Sequence, residues 1–229
     1  MSQSRWPASV PRASALAFVV AIAACASGPP APDWQANAKA AIDQATTAYL
    51  SGDSAAEARA FERAREQISR TGRPGLLARA ELMRCAAHVA SLVFEPCQSF
   101  ERLRGDAAPA EQAYADHLAA RPLPRADIER LPAAQQAVAN AVAGSEASAA
   151  SVQAIDDPLS RLIAAAVLFQ AGKASPATLA LAADTASAQG WRRPLLAWLE
   201  VLALRAERAG ALDDAARLRR QIQLVQGAR

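Results

Sequence analysis

The run from Asp157 to Gly210, DPLSRLIAAAVLFQAGKASPATLALAADTASAQGWRRPLLAWLEVLALRAERAG, carries its prolines at an even interval: Pro158, Pro176 and Pro194 lie 18 residues apart, and Leu212 holds the next slot. Proline suits the first turn of a helix, where its missing N–H costs nothing, and Asp157 and Ser175 stand directly before two of them as N-caps. Gly172, Gly190 and Gly210 fall where a left-handed residue closes a helix. Each 18-residue unit is thus one helix plus one turn, and a pair of helices recurs every 36 residues.

Upstream, the apolar spacing is also helical. Trp34, Ala38, Ala41, Ala45 and Tyr49 form one stripe, ended at Ser51-Gly52-Asp53; Ala60, Phe61, Ala64 and Ile68 form the next, ended at Thr71-Gly72. Leu76 to Leu92 carries two stripes, Leu76/Ala80/Met83/Ala87 and Leu82/Cys85/Val89/Leu92, which predicts a helix packed on both sides. Ala110, Ala113, Tyr114, His117 and Leu118 mark a further helix, and Val138 with Val142 another after Pro132. Composition agrees: of 229 residues 62 are Ala, only 10 are Gly and 5% are aromatic, which favours helix and argues against a sandwich or barrel. The fold class expected is all-α.

Gly210-Ala211-Leu212-Asp213-Asp214-Ala215 resembles the inter-helix turn of a tetratricopeptide repeat (TPR), and Ala41, Ala45, Gly52-Asp53, Phe61 and Ala64 fall at that repeat's small, turn and large positions. The Trp-Leu-Gly start is absent, the period is longer than the family's, and residues 94–150 depart from the pattern. The resemblance implies a TPR-like α-solenoid of four or five hairpins; an irregular helical bundle is the alternative. In a solenoid the last helix, from Leu212 to Gln226, would cover the stripe that holds Trp198 and Leu202.

The N-terminus reads as an address. Residues 1–12 are polar with Arg5 and Arg12, and Ala13 to Ala24 is apolar apart from Ser14, a run well short of the roughly 20 residues that span a bilayer. Residues 1–24 are therefore expected to be a signal peptide. Its end, Ile22-Ala23-Ala24-Cys25, resembles the lipobox of bacterial lipoproteins: an aliphatic residue, two small ones, then the Cys that receives the lipid. The resemblance implies lipidation at Cys25 and membrane attachment. Because Ala26 rather than Asp follows, it also implies the outer membrane, facing the periplasm. Residues 25–33 hold Pro29, Pro30 and Pro32 and read as a short tether, reaching roughly 25 Å at about 3.1 to 3.3 Å per residue. The helical domain would then be residues 34–229.

Charge excludes one class of partner. The formal +3 arises from 25 basic and 22 acidic residues, and Arg5 and Arg12 lie in the signal segment, which holds no acid. The remainder is close to neutral, so nucleic acid is not an expected partner.

With Cys25 assigned to lipid, Cys85 and Cys97 remain in a compartment that favours disulfides. Cys85 lies in a helical stretch and Cys97 follows the helix-ending Phe94-Glu95-Pro96, so a chain that turns back at the proline pairs them; two unpaired buried thiols are the alternative. His88 and His117 are 29 residues apart, and no zinc motif, phosphate loop or nucleophile elbow can be written. No cofactor, metal or catalytic residue is expected. Trp191, Leu195, Trp198 and Leu202 form one helical stripe: mainly core, or with Trp191 and Trp198 at the lip of a partner-binding groove. Arg192-Arg193 with Arg217, Arg219 and Arg220 reads as a solvated face. A protein-interaction or assembly scaffold is the expected function, with a periplasmic or outer-membrane protein as partner. A helical cell-wall enzyme and a lipid or small-molecule carrier are the rivals.

Overall fold

The computed structural model describes residues 32–145 and 148–227, and among them every regular element is helical. An opening hairpin, α1 (Asp33–Ser51) and α2 (Ser54–Ser69), is followed by α3 (Pro74–Ala90). Short pieces come next: α4 (Gln98–Glu101), a 3₁₀ turn (Arg104–Asp106), α5 (Pro109–Leu118), α6 (Arg125–Ile128), α7 (Ala133–Ala143) and α8 (Ala149–Gln153). The C-terminal third is α9 (Pro158–Gln170), α10 (Pro176–Ala188), α11 (Arg192–Arg208) and α12 (Leu212–Gly227).

The expected caps of the C-terminal third are in place. The carboxylate of Asp157 accepts the Ser160 N–H at 2.7 Å and the Ser175 hydroxyl accepts the Thr178 N–H at 3.1 Å, each ahead of a proline in the first turn. Gly172, Gly190 and Gly210 sit at φ 69°, 65° and 71°. The residue after each donates its N–H five residues back, Lys173 to Leu168, Trp191 to Ala186 and Ala211 to Ala206. This is the Schellman closure, and it needs a left-handed residue at its corner.

Two helices close in the same way without glycine. Leu92 at φ 60° ends α3 and Ala120 at φ 53° ends α5, where Arg121 N–H reaches Asp116 O at 3.1 Å. A Cβ in that conformation costs roughly 1 to 2 kcal/mol. Ala120→Gly relieves the strain, losing one half-buried methyl and some unfolded-state rigidity, so it should raise stability by about 0.5 to 1 kcal/mol. A urea midpoint shifted upward at unchanged slope is the expected reading.

Helix α9 is the centre of the bundle. Leu162 to Leu168 are buried without a break, because LIAAAVL presents apolar atoms on every side. Around it pack α3, α7 and α10, with α5 and α8 at its edges. Helices α9 to α12 meet in chain order, as their even units predict. The rest does not follow a simple stack: α3 packs on α9 across the middle of the chain, and α1 reaches α11. The described residues form an all-helical bundle.

Two expectations are corrected here. Met83 is 45% exposed, so the Leu76/Ala80/Met83/Ala87 stripe is only partly a packing face. Helix α12 covers Leu199 and Ala203 with Ile222, backed by Leu218 and Val225, and not Trp198, which faces the main core. The outer face of α12 is mostly polar and charged, as suits a terminal helix with water on its far side.

Candidate functional site

Cys25 and the lipobox-like run lie outside the described residues. Cys85 on α3 and Cys97 just before α4 come to disulfide distance, with Cα atoms 5.9 Å apart. The turn that Leu92 makes possible folds the chain back at Phe94-Glu95-Pro96, and Phe94 stacks on Phe169 of α9 at 6.3 Å between centroids.

Trp198 does not stand at the lip of a groove. It is fully buried, its indole N–H donates to Ala90 O at 3.2 Å, and Phe169 meets it edge-on at 5.9 Å. Trp191 is half-buried against Tyr49 and Leu50 of α1 and Leu159 of α9. The stripe is thus core at Trp198 and junction at Trp191, and the two do not share an open surface.

The junction between the first hairpin and α11 holds a polar cluster built on two arginines. Tyr49 stacks on His88 at 4.2 Å with planes 12° apart, and the Arg193 guanidinium lies 4.3 Å from the Tyr49 ring centre. Arg193 also donates to Tyr49 O at 2.7 Å and to the Ser54 hydroxyl at 2.8 Å, closing the C-terminal end of α1. Its neighbour Arg192 does the same for α12, donating to Val225 O and Gln226 O at 3.1 Å each. These two arginines are structural caps, not the solvated face expected from their charge; a guanidinium satisfies orphan carbonyls and stacks on an aromatic ring at once.

Beside the junction, α2 and α3 clasp each other through reciprocal ion pairs. Glu57 of α2 accepts from Arg84 of α3 at 2.5 and 3.2 Å, and Glu81 of α3 pairs with Arg65 of α2. Both guanidinium groups lie over Phe61, at 5.0 and 5.2 Å from its centre. Both carboxylates are buried, and burial pushes Glu81 up from the ordinary carboxylate value while Arg65 pulls it back. The sequence signal was present in Glu57, Phe61 and Arg65, which recur every four residues on one face, with charge flanking the aromatic. A small cavity of about 10 Å³ lies between this clasp and Tyr49, lined by Thr46, Glu57 and Arg84 among others. That is room for one water, not for a lipid. On the other side of α2 a shallow groove runs between Glu62, Glu66, Glu81, Ser99 and Arg102.

A second buried polar site lies between α5, α7 and α9. His117 Nε2 meets Gln135 Oε1 at 3.1 Å, and the Gln135 amide donates to Ser160 O at 2.9 Å. Because that amide nitrogen is the donor to Ser160, Oε1 accepts, which puts a proton on His117 Nε2. Burial pushes the His117 pKa down to about 4, against the pull of the Gln135 bond. Burial likewise raises neighbouring Tyr114, with Asp157 adding to it. Among the described residues no group of three or more His, Cys, Asp or Glu side chains is placed to hold a metal ion, and no helix is long and apolar enough to cross a membrane.

Comparison with family models, curated proteins and solved structures finds no match to the chain in any of the three.

Proposed function

We propose that this chain is an outer-membrane lipoprotein, anchored at Cys25 and facing the periplasm, whose helical domain serves as a protein–protein interaction or assembly scaffold. The reading rests on how the three cysteines divide. One follows Ile22-Ala23-Ala24 at the end of an apolar segment behind two arginines; the other two, Cys85 and Cys97, stand at disulfide distance in the folded domain. Lipid attachment uses the first, and an oxidising compartment suits the pair. The proline-rich residues 25–33 run directly into α1, so the bundle would sit close to the membrane surface. Sequential packing of α9 to α12, with the same left-handed closure at Gly172, Gly190 and Gly210, supports TPR-like hairpins in the C-terminal third, and stacked hairpins are a common partner-binding architecture.

Cys25→Ala is the test. The wild type should partition with membranes and carry fatty acid on its N-terminal residue. The variant should retain its full-length mass and lose the acyl label. A wild type that is soluble, or a variant cleaved after Ala24, would refute the anchor.

A further inference from the structure

The first hairpin and the main core are held together by different means at their two ends. Toward the start of α1, Ala38, Ala45, Phe61 and Ala80 form an apolar cluster that ties the hairpin to α3. At the end of α1, Tyr49 and Leu50 meet Leu159 and Trp191, and there the bonds from Arg193 to Tyr49 O and Ser54 are joined by the stack that Arg193, Tyr49 and His88 make. Two groups each within about 4 Å of one ring centre occupy its opposite faces, so Tyr49 is sandwiched between a guanidinium and an imidazole.

We propose that His88 is a proton-operated latch: its neutral ring, stacked on Tyr49 opposite Arg193, holds the end of α1 against α11, and protonation of that ring releases it. His88 Nε2 is buried and has no hydrogen-bond partner. A neutral ring can leave a lone pair there at modest cost, whereas an imidazolium would bury a charged donor with nothing to accept it. Its surroundings oppose the charge as well. Tyr49 of α1 offers only its ring face; Arg84 of α3 and Arg193 of α11 are cations; Glu57 of α2 is already bound through both oxygens by Arg84; Glu95, after α3, is exposed. Burial and Arg84 accordingly hold His88 below the ordinary imidazole value. Once charged, the ring must turn toward water, Tyr49 loses one face of its sandwich, and the apolar faces of Leu159 and Trp191 become accessible. The apolar cluster at the other end of α1 contains no titratable group and keeps the hairpin on α3.

The full chain in detergent is compared with His88→Phe, which keeps an aromatic ring on Tyr49 and cannot be charged. Amide exchange, corrected for its intrinsic pH dependence, is followed from pH 7 to pH 5. In the wild type, opening at Tyr49 to Asp53 and in the first turn of α11 should increase severalfold, approaching tenfold for each unit by which closing lowers the His88 pKa. Exchange in α9 should change far less, and His88→Phe should stay level. If the variant does not fold, ring-proton NMR on the wild type decides: His88 should titrate below 6.5, and the Tyr49 ring resonances should move with it. Opening that is independent of pH, equal in His88→Phe or uniform over all helices, or a His88 that titrates without moving Tyr49, overturns the latch.

Discussion

Trp198→Ala should lower the stability of the fold by about 4 kcal/mol, the range for deleting a fully enclosed large aromatic. Among the described residues the indole is the largest fully buried side chain, and its removal empties a site bounded by Phe169 and the end of α3. It also leaves Ala90 O, 108 residues away in the chain, without the indole donor. At roughly 2 to 4 °C per kcal/mol for a domain of this size, the melting temperature should fall by about 12 °C. Trp198→Phe separates the two contributions: it keeps most of the packing and loses the N–H, so about 1 to 2 kcal/mol is expected. Near-equal stability of Trp198→Ala and the wild type would mean that Trp198 is not enclosed by Phe169 and the end of α3. The same argument bears on the scaffold reading. Loss of partner binding in Trp198→Ala would report a weakened core rather than a lost contact, so the informative surface substitutions lie elsewhere.

The parts of this fold that are local in sequence were legible. A proline, the polar residue before it and a glycine some 14 residues later specify one helix through hydrogen bonds that close within a turn, and Asp157, Ser175, Gly172, Gly190 and Gly210 all act as expected. The parts joined across the chain were not. Nothing near Tyr49 signals that Arg193, 144 residues later, will donate to its carbonyl, and nothing near Ala90 signals Trp198. Periodicity identifies a face that must be covered but not the helix that covers it. Residues 94–150 depart from the hairpin pattern because Pro96, Pro109, Pro122, Pro124 and Pro132 cut the chain into pieces too short to stack as hairpins. The polar core was least legible of all. Arg65, Arg84 and Arg193 read as surface charge by type, yet each lays its guanidinium over an aromatic ring, a role that depends on a neighbour supplied by folding.

Acidification from pH 7 to pH 5 should destabilise the protein by about 2 kcal/mol through His117 alone. The folded state binds a proton at His117 only near pH 4, whereas the unfolded chain binds one near the ordinary value of 6.5. Between those values the unfolded state carries more protons, so stability rises with pH: the contribution is complete above about pH 6.5 and lost progressively down to about pH 4. His88, also lowered by burial, acts in the same direction, while Glu81, raised by burial, is protonated more readily in the fold and opposes part of the loss at the acid end. His117→Gln isolates the main contribution, since its side-chain amide can donate to Gln135 Oε1 and carries no charge at either pH. The variant should be less stable than the wild type at pH 7, because it loses the ring packed beside Tyr114. Its urea midpoint should nonetheless fall much less between pH 7 and pH 5. Parallel pH profiles for the two proteins would show that His117 is not held neutral, and with it the buried His117–Gln135–Ser160 chain joining α5, α7 and α9 would be refuted.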